Sequence, residues 1–168
     1  MTTSTQYIKN LKQKIITSKM LEDALYSCNK RAKNCRDKQE EYRRWRLSCR
    51  YERTYYNDKY DNEGKYREKK EHYYNMKSCF LRLLEPCAIH VHELENGEKQ
   101  YMLFYELENH SFHSPISFED AKKRTDLPIK TLDASFYTFG RDIQELLSVQ
   151  FTEKMYDLIL SGDYTLVA

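Results

Sequence analysis

Glycine and proline are scarce, with four of the first and three of the second in 168 residues, and Gly64 is the only glycine before Pro86, the first proline. A stretch with so little punctuation excludes a turn-rich N-terminal half and reads as helix. Four glycines also leave little backbone to cradle a nucleotide. No glycine-rich phosphate loop, no G-x-S-x-G and no paired-carboxylate motif is present. No apolar run reaches the roughly 18 residues of a membrane span, and Met1 to Ile16 lacks the apolar stretch of a secretion signal. The five cysteines (Cys28, Cys35, Cys49, Cys79, Cys87) are an odd number with no C-x-x-C pair. That argues against a disulfide framework and a zinc ribbon, and a cytoplasmic chain with reduced thiols is expected.

What is present is charge and tyrosine. Apolar residues make up 40% of the chain and charged residues 32%, and mean hydropathy is −0.89, so the chain folds with a highly charged surface. The net charge of +2 hides an asymmetry. Residues 1 to 86 carry 21 Lys/Arg against 12 Asp/Glu, residues 87 to 168 carry 7 against 14. Two surfaces with different tasks, or two halves that attract each other, follow from such a split. The domain reading is a basic helical arm over 1–86 and an acidic α+β body over 87–168.

Residues seven apart support the helical reading of the arm. Leu21, Cys28, Cys35, Tyr42, Cys49 and Tyr56 form one column, and Leu25, Ala32, Gln39, Arg46, Arg53 and Tyr60 its companion. This heptad spacing predicts a helix from about Thr17 to Tyr60 that packs lengthwise on a partner helix. Ile8, Leu11 and Ile15 have the same helical spacing. Asp61-Asn62-Glu63-Gly64 reads as a turn, with Gly64 suited to a left-handed helix end. A second helix from Lys65 to about Leu84, with Tyr66, Tyr73 and Phe80 in its apolar column, would complete an antiparallel hairpin. The hairpin leaves Leu21 to Ala32 to be covered by the C-terminal half or by a second copy of the chain.

After Pro86 the pattern changes to period two. Asn96-Gly97 between two alternating runs predicts a β-hairpin. With a two-residue turn, His92 faces Tyr101, His90 faces Leu103 and Ile89 faces Phe104. Ser111 to Ile116 reads as a third strand, with Phe112 and Ile116 as core anchors. Ser117 with Asp120 predicts a capping box for a helix near Phe118 to Arg124. Two more helices are expected near Arg141 to Leu147 and Thr152 to Leu160, the second closed by Gly162, and the tail from Asp163 reads as an added strand. The fold class is α+β: a long helical hairpin, then a small antiparallel hairpin or meander with C-terminal helices.

The stretch Lys30 to Lys77 holds 16 Lys/Arg, 9 Asp/Glu, eight tyrosines and Trp45. On a helix, Arg43, Arg46, Arg50 and Arg53 stack along one stripe, with Arg36 upstream, and such a ladder follows phosphates or partner carboxylates because each guanidinium grips two oxygens. Trp45, Tyr51 and Tyr55 add stacking or interface area. The blander reading is a solvated face paired with Glu40, Glu41, Glu52, Glu68 and Glu71, but pairing within the stretch leaves seven positive charges over. His90 and His92 share a strand face and, with His113, are the candidate metal ligands, the structural reading of lone strand histidines weighing more. His72 has no evident partner in the sequence.

The short, Lys/Tyr/Glu-rich, glycine-poor chain with a charged helical arm is similar in general character to small proteins of bacteriophages and mobile elements, anti-CRISPR proteins among them. The resemblance rests on the arginine-tyrosine helix around Arg43 to Tyr60. It implies a non-catalytic inhibitor in the host cell cytoplasm, without cofactor, that engages a nucleic-acid-processing machine such as a Cas effector, by contact with protein, nucleoprotein or nucleic acid. Two alternatives from other classes remain: a homodimeric helical adaptor joined along Leu21, Leu25, Cys28 and Ala32, and a metal-dependent nuclease or hydrolase on His90, His92 and His113.

Overall fold

The computed structural model describes residues 3–48, 62–132 and 144–168. In chain order these form α1 (Thr3–Lys12), β1 (Ile15–Thr17), α2 (Ser18–Ser48), α3 (Asn62–Leu81), β2 (Ala88–Glu93), β3 (Lys99–Glu106), β4 (Ser111–Ile116), α4 (Phe118–Lys123), β5 (Ile129–Leu132), α5 (Val149–Ser161) and β6 (Thr165–Val167). The class is α+β. Two compact units divide the chain: Met1–Phe80 with Leu146–Ala168, and Leu81–Glu145. This differs from a boundary near Pro86, because the last 23 residues group with the N-terminal helices. None of the helices among the described residues is long and apolar enough to cross a membrane.

In the first unit, Lys14 takes a left-handed backbone (φ 58°) that ends α1 and turns the chain into β1. Ile15, expected on the α1 face, therefore lies in a strand. Its partner is the tail: β6 runs parallel to β1 with Ile16 opposite Leu166, Thr165 N donates to Lys14 O at 2.8 Å, and the Lys14 ammonium pairs with the Asp163 carboxylate. The α2 N-terminus is capped by Thr17, whose hydroxyl accepts from Met20 N at 3.1 Å.

Leu21, Leu25, Cys28 and Ala32 are buried within the chain, at 2%, 0%, 1% and 0% exposure. The observation that pointed to a homodimer seam is thereby removed: α5 contributes buried Thr152, Met155 and Ile159 to this unit, and Ser27 Oγ on α2 accepts from Leu147 N just ahead of it. Each large apolar side chain enclosed here, Leu25, Met20, Met76, Phe80 and Met155 among them, contributes about 1.5–3 kcal/mol. The α2–α3 hairpin is antiparallel, as Asn29 meets Lys77, Gln39 meets Lys70, Tyr42 stacks on Tyr66 and Arg46 meets Glu63. α3 starts at Asn62, so Gly64 is a buried residue of its first turn and not a left-handed helix end. The part of the long helix expected beyond Ser48 lies outside the described residues.

The second unit is a four-stranded sheet in the order β4-β3-β2-β5. Its hairpin register is one residue off the expected one: Ile89 pairs with Leu103, His90 with Met102 and His92 with Gln100. The cause is the loop. Leu94 N bonds to Glu98 O at 2.7 Å, Gly97 N to Leu94 O at 2.9 Å, and Gly97 holds φ 84°, which makes a three-residue loop with a left-handed glycine instead of a two-residue turn. β4 spans the expected residues, with Phe112 buried and Pro115 tolerated because β4 is an edge strand. Ser117 caps α4 by accepting from Asp120 N at 3.1 Å. β5 was not expected. It follows Pro128 and pairs parallel to β2, which makes the sheet mixed. Residues 144–148 are not helical, and 141–143 lie outside the described residues. Gly162, at φ 75°, closes α5 as expected.

Candidate binding surface

By unit, the charge split persists: 21 Lys/Arg against 14 Asp/Glu in the first and 7 against 12 in the second. The basic side chains of the hairpin divide into two sets. Arg46 Nε lies 2.6 Å from Glu63 Oε2 in the first turn of α3, where a helix N-terminus favours a carboxylate. It is half-buried and spent on the hairpin, so it does not belong to the expected free ladder. Arg43 and Arg44 share Glu40 at 3.5 and 3.6 Å, and both stay more than half exposed. Exposed pairs of this kind contribute about 0–1 kcal/mol and release either partner readily. Arg36 is exposed, Trp45 half-buried. Arg50, Arg53, Tyr51 and Tyr55 lie outside the described residues.

Three tyrosines expected in the core stand at its margin. Tyr42 and Tyr66 stack at 5.8 Å with an interplanar angle of 16°, half-buried, and Lys69 Nζ lies 5.3 Å from the Tyr66 ring centroid. Tyr73 is also half-buried, and its hydroxyl is pushed up first by burial. Exposed Arg36, Arg43, Arg44, Lys65, Arg67 and Lys69 surround this hairpin. Such a face can hold phosphates or carboxylates against aromatic edges.

His90 Nδ1 lies 2.9 Å from His113 Nε2, and the His90 ring stacks on Phe104 at 4.2 Å. His90 is only 4% exposed, and burial, then the Lys130 charge, holds its imidazole below the ordinary range. His92 shares its strand face, but no group of three or more His, Cys, Asp or Glu among the described residues is placed to hold a metal ion. The metal reading loses its third ligand there. His110 Nε2 meets Gln144 Oε1.

Cys28 and Cys35 are buried, and burial pushes both thiols up, Cys28 to about 12, which makes them poor nucleophiles. Cys87 Sγ points to Phe104 O at 3.5 Å. His72 does have a partner: its Nε2 lies 2.5 Å from Glu153 Oε1, with the Tyr156 ring edge-on at 5.9 Å. Arg31 and Lys77, which the sequence did not single out, both act on the Cys28 thiol through their charge. Nothing but their proximity to a seam column marked them. No family model, no curated protein and no solved structure matches the chain.

Proposed function

We propose that this is a non-catalytic binding protein whose contact surface is the exposed basic face of the α2–α3 hairpin, and that its partner is a nucleic-acid-processing machine. One observation carries the reading: a unit with seven positive charges in excess, on which Arg36, Arg43 and Arg44 stay exposed while Arg46 is committed to Glu63. The partner chemistry is a line of phosphates or an acidic protein face, the kind that a Cas effector with its nucleic acid presents. The acidic second unit, with five negative charges in excess, suits a basic groove of the same machine.

The test is binding to fluorescent single-stranded and duplex DNA and RNA across a salt series. Each phosphate neutralised adds about 0.7–0.9 to the slope of log affinity against log salt. Changing Arg36, Arg43 and Arg44 to Gln lowers that slope by about 2–3. Arg46→Gln leaves it unchanged. Absence of binding to all four probes at low salt refutes nucleic-acid contact and leaves an acidic protein as the ligand to test next.

A further inference from the structure

The seam column of α2 is buried at Leu21, Cys28 and Cys35, and it leaves the core at Tyr42, which is half-buried. On α3, buried Phe80 and Met76 give way to half-buried Tyr66 in the same manner. The two tyrosines are the middle of three rungs across the hairpin. Lys70 Nζ donates to Gln39 Oε1 at 2.9 Å on one side, and Arg46 Nε donates to Glu63 Oε2 at 2.6 Å on the other. Between these polar rungs the Tyr42 and Tyr66 rings stack, with centroids 5.8 Å apart and 16° between their planes. The ammonium of exposed Lys69 stands over the Tyr66 ring, 5.3 Å from its centroid.

Residues 38–46 and 63–70, which carry the rungs, hold eight Lys/Arg against four Asp/Glu. Three of the four acids are already paired: Glu63 with Arg46, Glu41 with Lys38 at 3.3 Å, and Glu40 with both Arg43 and Arg44. Lys65, Arg67 and Lys69 are exposed within three residues of Tyr66, and exposed Arg43 and Arg44 follow Tyr42. Half-exposed parallel rings set among surplus cations complement a chain that carries flat bases as well as negative charge. We propose that the Tyr42–Tyr66 rung is a stacking platform for single-stranded nucleic acid. One unpaired base stacks at Tyr66 in place of the Lys69 ammonium, which moves to an adjoining phosphate. An exposed cation over a ring is held by only a weak attraction, so the exchange costs little. A duplex fits less well, because its base faces are covered by their neighbours and rings held half-buried between two helices cannot wedge between them. An acidic peptide matches the charge and leaves the rings without a use. The proposal rests on nucleic-acid contact by the basic face of the hairpin, and it names the class of nucleic acid which that face takes.

The experiment uses the full chain with four fluorescent probes at equal salt: a short single-stranded DNA, the same strand as a duplex, an abasic strand of the same length, and polyglutamate. Expected is single-strand binding at least about tenfold tighter than binding to each of the other three, the worth of about one stacked base. Tyr66→Leu lowers single-strand affinity about tenfold with its salt slope unchanged, whereas Tyr66→Phe, which keeps the ring, binds as the wild type does. Equal affinity of the wild-type chain for the single strand and its abasic counterpart overturns the platform whether or not the variants fold, and so does equal affinity for single strand and duplex. Either result leaves phosphate contact by the same face standing. Polyglutamate bound as tightly as the single strand overturns the proposal in favour of an acidic protein partner. Absence of binding to every nucleic-acid probe removes the platform together with the reading on which it rests.

Discussion

Ser27 offers a test of how the C-terminal helix is tied to the N-terminal ones. Its side chain is fully enclosed on α2, donates to Asp23 O at 2.8 Å and accepts from Leu147 N at 2.9 Å. The second bond joins residues 120 positions apart and fixes the chain just before α5. Ser27→Ala removes one oxygen and little volume, so its cost is the Leu147 N–H left without an acceptor, about 1–3 kcal/mol. The lost back-bond to Asp23 O costs little, and alanine's better helix propensity returns about 0.5 kcal/mol. The net expectation is about 1–2 kcal/mol. For a chain of this size that is a fall in melting temperature of roughly 2–8 °C. Amide exchange supplies the local readout: the Leu147 N–H should lose protection while the second unit's β2 and β3 amides keep theirs. An unchanged Leu147 exchange rate with an unchanged melting temperature refutes the tie.

Two further outcomes follow from the second unit. The folded state holds His90 below its ordinary value by burial and by Lys130, so the unfolded chain takes up the proton first; stability is complete above about pH 6.5 and falls as pH drops below it toward the folded value. Denaturant titrations from pH 7.5 to 5 should show that decline, and His90→Gln should flatten it. Gly97→Ala should cost about 1 kcal/mol, since φ 84° is strained for a residue with a Cβ although no atom lies within 4 Å of it, and Gly97→Asn should cost less; equal melting curves for the two would contradict the left-handed loop.

Much of this architecture can be read from spacing. The heptad columns mark the buried face of α2 from Leu21 to Cys35, Ser117 with Asp120 marks the start of α4, and Gly162 marks the end of α5, because caps and stripes are local properties of the chain. Features that depend on distant partners were not legible. β5 is four residues whose place is set by pairing with β2, 40 positions earlier. The hairpin register turned on one residue of loop length, and Asn-Gly signals a turn without counting its residues. Gly64 looked like punctuation, yet it lies buried in the first turn of α3.

The arginines show how far one pattern can carry two meanings. Arg46 shares a column with Leu25, Ala32 and Gln39, so its position in the seam and its position in an arginine stripe are both written in the sequence. The seam prevails, because Glu63 and Lys70 on α3 meet Arg46 and Gln39 at 2.6 and 2.9 Å. Arg36, Arg43 and Arg50 form a separate column seven residues apart, about 10 Å per step on a helix, and its described members are exposed. A ligand that tracks the hairpin should therefore register the Arg36 column and be indifferent to Arg46. Salt slopes measured on Arg43→Gln and Arg46→Gln side by side decide this. A fall of about 1 in the first alone places the contact on the outer column, whereas equal falls mean that Arg46 leaves Glu63 to join the ligand and the hairpin pair is weaker than its 2.6 Å geometry implies.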